Sequence, residues 1–542
     1  MEVPTQDCDV LIMGGGLAGL TLALQLRKTF GDISVTVIER RSHPVPESTH
    51  KVGESCVEIG AHYFSTVLGL RPHLEQSQLR KFGFRFFFSE GRRDFDQVTE
   101  VGASRYLSVP SYQIDRGIFE NYLGAEALRR GIRFMDGTLV RSIELSDDDQ
   151  LHNLTCEQGG RTRRLRSRWL IDACGRAGLL KRKLSLMQSN SHHANAIWFR
   201  INHRIDVDQW STCETWRNRC DPPARWLSTN HLMGTGYWVW LIPLASGSHS
   251  VGIVSDPRVH ALESMDSFGK AMTWLETFQP RLFDELDGKR HLLQDFAFMR
   301  KFSYGCKQVF SAQRWALTGE AGLFLDPFYS PGSDFIAISN TYITELIALD
   351  RNAHPLGARA QLYDQIYHSF YESTLALYTD QYALFGDAEV LPVKVVWDYT
   401  YYWGILSQFF FQGRLTDLAA LAALREELNH CKVLNVAVQN FLRQWSLRSR
   451  KLNAAVMHDQ AAIPWFAGLN RGLLDNLDDK QFQSRVRASA ALLRRLAHDM
   501  MIRATSQYEG LDASELRLCL STPGALVAGT PESPLESLLP AF

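Results

Sequence analysis

Two hydrophobic periods share this chain. Residues 8–13 (Cys-Asp-Val-Leu-Ile-Met) form an apolar run of strand length, residues 17–30 a run of good helix formers, and residues 34–38 a β-branched second strand. Between 60 and 115, and again between 185 and 300, aromatic and β-branched residues alternate, as in residues 196–201 and 250–254. This pattern predicts a sheet domain. From about Asn340 the texture turns helical, with apolar residues at three- and four-residue spacing over 417–430 and 484–503. The second of these carries Arg485, Arg487, Arg494 and Arg495, read as a solvated face rather than a membrane or carrier-protein surface. The aromatic stretch 395–411 has no clear period and reads as the lining of a substrate cavity or as core. The tail from Thr522 holds four Pro and reads as an extended strap or a frayed end.

Composition excludes several classes. The 542 residues amount to roughly three to four domains' worth of chain. Lys and Arg total 58 against 59 Asp and Glu, for a net charge of -1, so a general nucleic-acid binder is excluded. With 11% aromatic and 22% charged residues, long disorder is excluded too. The nine Cys are scattered from Cys8 to Cys519 without metal-ligand or redox-pair spacing, so no metal is expected and the thiols read as reduced. The N-terminus lacks the pattern of a signal peptide. The uncharged aromatic run 399–413 is shorter than the roughly 20 residues that span a bilayer. A cytoplasmic, small-molecule enzyme without a membrane span is the expectation.

The chemistry begins between the first strand and helix. Gly14, Gly16 and Gly19 fit GxGxxG, followed by Glu39 at the end of the next strand, twenty positions after Gly19. Such glycines let the backbone, with Leu17 and Ala18 opening the helix, approach a pyrophosphate, and Glu39 can accept hydrogen bonds from a ribose. Two later segments favour FAD over NAD. Residues 169–176 run through an apolar strand into Asp172 and a glycine turn, and residues 314–322 end in Gly319 and Glu320. In order, these motifs resemble the glutathione-reductase-type flavoprotein fold in its monooxygenase branch. That resemblance implies that Glu320, where the family usually has Asp, contacts the ribityl chain. It also implies that Arg116, in the segment 113–116, lies near the flavin phosphates or ring.

Three further motifs resemble those of flavin-dependent halogenases. Trp238-x-Trp240-x-Ile242-Pro243 matches their WxWxIP motif, a period-two strand with both indoles on one face. Its members are implied to gate substrate away from the flavin, although Trp at this spacing is usually core. Residues 51–55, with Glu54 and Ser55, resemble the turn leading into a helix near the flavin ring. Residues 79–88 resemble the segment carrying the catalytic lysine, here Lys81; the neighbouring Arg80 keeps its charge and is no nucleophile. The turn 325–334 resembles the one whose backbone N–H groups hold halide, implying Gly332 and Ser333, since Pro331 has no N–H. Its plain alternative is a loop in which Ser333 or Asp334 caps the next helix. Tyr329 stands where tryptophan-type halogenases have Glu, which weakens an indole reading, and the 51–55 turn resembles more closely that of halogenases of phenolic and related electron-rich substrates.

The resemblance covers roughly residues 8–350. It implies an α/β (α+β) chain in three parts. A discontinuous FAD-binding domain would comprise 1–59, 112–184 and 305–350, an inserted sheet domain for substrate 60–111 and 185–304, and a C-terminal helical region 351–542. A separate reductase would supply FADH2, and dioxygen would convert it to a flavin hydroperoxide. Chloride or bromide would attack that species to give hypohalous acid. Lys81 would then position the hypohalous acid, or capture it as a haloamine, for an electron-rich aromatic, free or bound to a carrier protein. Two alternatives stay open: a flavin monooxygenase that hydroxylates, and a silent flavoprotein scaffold that binds a partner.

Overall fold

The computed structural model describes residues 5–48, 53–146 and 150–521. Lys51 and Val52 of the 51–55 turn, and the tail from Thr522, lie outside the described residues. The chain forms two units. The first comprises Met1–Gln78, Ile114–Ser191 and Ser303–Tyr371; the second comprises Leu79–Gln113, His192–Phe302 and residues from Glu372 onward.

The first unit is built on a seven-stranded sheet ordered 133–135, 35–38, 5–13, 161–172, 152–158 and 138–144, with 315–317 also paired to 161–172. Its centre is parallel. Met13 lies opposite both Ile38 and Asp172, and Asp172 opposite Leu317. Four strands therefore end at one level, and the residues that follow them share the carboxyl edge where ligands bind in open α/β sheets. The apolar run expected over 8–13 belongs to strand Thr5–Met13, and the first helix is Leu17–Thr29.

The second unit holds an eight-stranded sheet ordered 293–299, 195–201, 249–255, 237–243, 229–234, 84–87, 100–102 and 457–459. Strands Asn195–Ile201, Thr229–Gly234, Tyr237–Pro243 and His249–Ser255 are buried along their whole length, as befits a sheet covered on both faces. On one face Phe87, Tyr237, Val239, Leu241 and Ile253 join a core with Trp274 and Leu275 of helix Phe268–Phe278. Alternation sends Phe84, Phe86, Trp238 and Trp240 to the other face.

The structure changes three expectations. Residues 60–78, expected in the sheet domain, are helical and sit in the first unit, as Glu58–His62, a π-turn Tyr63–Val67 and Arg71–Ser77. The helical region does not stand apart from the sheet. Its segment Met457–Asp459 pairs in parallel with Glu100–Gly102, and Asn453 both donates to the Phe88 carbonyl at 2.7 Å and accepts from the Thr99 N–H at 2.7 Å. The helix expected over 417–430 is two, Leu418–Ala423 and Arg425–Ser446. No helix among the described residues is long and apolar enough to cross a membrane.

Candidate active site

At the carboxyl edge of the first unit the three motif glycines do different things. Gly14 has φ +111°, and a Cβ there would lie 2.2 Å from the Ala173 carbonyl oxygen; a Cβ on Gly19 would lie 1.9 Å from the Gly14 oxygen. Both let backbone pack on backbone. Gly16 differs, because a Cβ would meet nothing within 4 Å. It precedes a helix with neither a side-chain cap nor an acidic first turn. Open space before the uncapped N–H groups of Leu17–Thr29 is what an approaching pyrophosphate requires, so these residues fit a bound dinucleotide. Glu39 accepts from the Gly15 N–H at 2.7 Å and the Arg41 N–H at 2.8 Å, and stays half-buried with lone pairs to spare.

The remaining flavin candidates of this unit fall into two sets. Asp172 is fully buried, and its carboxylate accepts from the Cys174 N–H at 3.0 Å and the Leu180 N–H at 2.7 Å. Burial pushes its carboxyl above the usual range. Both carboxylate oxygens are thus engaged by the turn that follows the strand. Glu320 pairs with Arg176 at 3.1 Å, both one-third exposed, and Arg176 lies over the rings of Tyr304 and Phe324. Gly319, at φ +61°, lets Ala18 approach, since a Cβ would sit 2.9 Å from the Ala18 methyl. Arg116 pairs with Glu120, and burial lowers its guanidinium below the ordinary value, only partly opposed by the charges of Glu320 and Glu54. Glu54 and Ser55 are buried, with the Glu54 carbonyl accepting from the Ile114 N–H at 2.7 Å. Arg116 also donates to the Gly53 carbonyl at 3.4 Å, next to Glu54.

The turn before helix Gly332–Arg351 passes through Ser330 at φ +53°, and the helix has no side-chain cap. The capping reading of Ser333 and Asp334 fails for a geometric reason. Asp334 accepts instead from the Gly60 N–H at 2.8 Å, and a Cβ on Gly60 would lie 2.3 Å from the Ser333 hydroxyl oxygen. That packing leaves the first-turn N–H groups of Gly332 and Ser333 to other acceptors.

Sequence reasoning missed the network beneath these turns. Asn340 donates to the Thr21 hydroxyl at 3.2 Å and the Tyr63 hydroxyl at 3.0 Å, and accepts from Thr318 at 2.7 Å; Tyr63 donates to Gln25 at 2.8 Å. All five are buried, so the helices that open at Leu17 and Gly332 are held by one polar lattice. Asn340 looked like any polar position on a helix, and nothing local marks a partner 322 residues away at Ala18.

In the second unit, Lys81 lies between the two-residue strand Leu79–Arg80 and strand Phe84–Phe87. Its N–H donates to the Ser111 carbonyl at 2.9 Å, and its side chain is buried with Nζ 3.3 Å from the Phe84 ring centroid. Arg80 is exposed and lies over Tyr106 instead. Aromatic contacts run on from Phe84: edge-on to His231 at 5.3 Å, then from His231 to Trp238 at 5.3 Å and from Trp238 to Trp240 at 5.7 Å. Trp238 donates to the Tyr382 hydroxyl and Trp240 to the Ser250 hydroxyl, each at 3.1 Å. Gly252 makes room for the Trp240 ring, which would lie 2.2 Å from a Cβ there. Ile242 and Pro243 close the same buried strand. Within this unit Lys81 and the Trp pair share one face.

The chain is similar to known FAD-binding proteins and halogenases. The FAD binding domain family matches residues 7–246. Flavin-dependent halogenase chlA of Dictyostelium discoideum is 25% identical over 432 residues, covering 73% of this chain and 70% of that protein. The 1H-pyrrole-2-carbonyl-[peptidyl-carrier protein] chlorinase of Pseudomonas fluorescens is 25% identical over 351 residues, covering 60% and 72%. Among solved structures, halogenase PltM aligns over 94% of this chain and 99% of its own with a TM-score of 0.64 at 16% identity, a likeness of fold. CmlS, a flavin-dependent halogenase, aligns over 81% and 76% with a TM-score of 0.53 at 22% identity.

Proposed function

We propose a reaction from the premise that this chain belongs to the flavin-dependent halogenase family and is an oxidoreductase that uses FAD: it halogenates an electron-rich, phenolic aromatic ring through Lys81. Reduced FAD, supplied by a separate flavin reductase, would give two electrons to dioxygen and halide the other two, so that halide, reduced flavin, dioxygen and a proton would yield hypohalous acid, oxidised flavin and water. Gly14, Gly16 and Gly19, with Leu17 and Ala18, would hold the pyrophosphate, Glu39 the adenosine ribose, and Glu54, Ser55, Arg116, Gly319 and Glu320 the flavin end. Backbone N–H groups of Gly332 and Ser333 would hold chloride or bromide, which suits an uncapped helix terminus.

Lys81 then does the transfer. Its Nζ donates a hydrogen bond to hypohalous oxygen, or gives up a proton and takes the halogen as a haloamine. The ring carbon receives halogen and loses its proton, and the oxygen leaves as water. The observation that carries this reading is the buried ammonium 3.3 Å above the Phe84 ring, on the face that also bears Trp238 and Trp240. An amine among aromatic rings is screened from water, where hypohalous acid would otherwise diffuse away. Gating by Trp238, Trp240, Ile242 and Pro243 is supported by their burial in one rigid strand. Tyr329 in place of Glu speaks against an indole, a phenol suits the reaction because ionising its hydroxyl raises ring nucleophilicity, and the carrier-protein names of two relatives extend the reading to tethered rings. The test is Lys81→Ala with FAD, NADH, a flavin reductase, bromide and a phenol. Brominated product falls at least about a hundredfold, while reduced flavin is still reoxidised. Unchanged product overturns the role of Lys81.

A further inference from the structure

The stretch from Val390 to Phe411 contains a group of buried polar atoms that the reaction above does not use. Helix Val390–Tyr401 runs into a π-turn, Tyr402–Leu406, and then helix Ser407–Phe411. Turns of this kind often mark functional sites, and a turn wider than four residues brings positions four and five residues on to either side of the first. Here those positions are Trp403, Ser407 and Gln408, with 1%, 0% and 0% exposure. Trp403 Nε1, Ser407 Oγ and both Gln408 side-chain polar atoms, Nε2 and Oε1, have no hydrogen-bond partner among the described residues. One such atom is common enough; three side chains on one turn, one a wholly unpaired amide, are not. Leaving buried polar groups unpaired is costly unless something else pairs them.

The same turn belongs to the aromatic row that begins at Lys81. The Phe84 ring, which lies under Lys81 Nζ, is 6.1 Å from that of Tyr399, and Tyr399 is 4.7 Å from Trp403. Trp403 offers only a donor, the Gln408 amide two donors and an acceptor, and Ser407 one of each. The set is rich in donors and holds no formal charge. We propose that Trp403, Ser407 and Gln408 form a polar subsite for an uncharged oxygen acceptor, of carbonyl type, carried on the aromatic substrate, which fixes the ring's register with respect to Lys81. The inference rests on the halogenase reading for the identity of the bound ring, but its binding test does not need turnover.

The probes are para-hydroxybenzaldehyde and para-cresol, of similar shape with and without the carbonyl, titrated calorimetrically into the full-length protein. The wild type should prefer the aldehyde by roughly three- to tenfold, the range of a single hydrogen bond. Gln408→Leu should bring the ratio close to one, and Ser407→Ala should lower it. Unliganded Gln408→Leu should melt at or above the wild-type temperature, because it removes a buried amide that has no partner. A preserved ratio in both Gln408→Leu and the volume-matched Gln408→Met overturns the subsite, as does a marked fall in the melting temperature of both. If the protein shows the binding preference yet forms no halogenated product, the halogenase reading fails and the subsite stands.

Discussion

Lys81 and Arg80 are adjacent cations with opposite fates, and the difference decides which can do chemistry. Lys81 is 3% exposed, whereas Arg80 lies at the surface over Tyr106. A guanidinium stays charged and cannot become a nucleophile, and it is wider than an ammonium. Lys81→Arg therefore keeps the charge but should retain less than about a tenth of the brominated product, measured under the conditions used for Lys81→Ala; near-wild-type product would mean that a fixed positive charge suffices. The lysine stands out in the sequence because its segment resembles a family motif. Its burial does not, because that depends on Phe84 and Ser111, the latter 30 residues further along. The hydrogen bonds of Asp172 were not legible for a similar reason. A strand-end acid before a glycine turn looks the same whether it reaches a cofactor or closes on the N–H groups of Cys174 and Leu180.

Elements carry the next set of consequences. The helix Leu17–Thr29 is tied to the sheet through Gly14 and Gly19, but Gly16 touches neither, so the glycines should separate in experiment. Gly16→Ala should keep the melting temperature and weaken FAD binding about tenfold or more, read by flavin-fluorescence titration. Gly19→Ala should destabilise the fold by about 1–3 kcal/mol through overpacking, and equal effects of the two would contradict the division of labour. Helix Gly357–Leu375 carries His368, whose two ring nitrogens lie 2.8 Å from the Asp364 carbonyl and 2.7 Å from the Cys306 carbonyl. Carbonyls only accept, so both nitrogens must donate and the ring is held as imidazolium. Burial alone would lower its pKa, but the Asp364 carboxylate more than offsets this and raises it to about 9. Because the folded value lies above the unfolded one, the stabilisation is complete below about pH 6.5 and is lost as pH rises through about 9, a change of about 1–3 kcal/mol. Chemical denaturation at pH 6 and pH 9.5 should show that loss in the wild type and much less of it in His368→Gln; equal losses would contradict the assignment. The stretch 395–411 had no readable period because the π-turn at Tyr402–Leu406 adds a residue and moves the buried stripe round the helix.

At the scale of the molecule, each unit is assembled from three distant pieces of chain. The ordered flavin motifs and the alternating strands could be read because each lies within a single short segment. The pairing of Met457–Asp459 with Glu100–Gly102 could not, since three residues carry little pattern and the partner lies more than 350 residues earlier. The same holds for the buried ion network of the second unit. Glu100 there accepts from Arg85 and from Arg225 at 2.8 Å, and Arg225 reaches Asp208 at 2.9 Å, all four nearly or wholly inaccessible. It braces strand Phe84–Phe87, and with it the segment that presents Lys81, against strand Glu100–Gly102. Burial would raise the Glu100 carboxyl, but Arg85 and Arg225 hold it below the ordinary range, so the brace keeps its charge. Under the proposed reaction the carboxyl edge of the first unit would hold the flavin, and the buried amine of the second would transfer the halogen. The most direct measurement supplies the purified protein with FAD, NADH, a flavin reductase, dioxygen, bromide and resorcinol, and examines the product by mass spectrometry. Bromoresorcinol with the bromine isotope pattern, absent when bromide is omitted, is the result expected; oxygenated resorcinol without bromine would contradict the account.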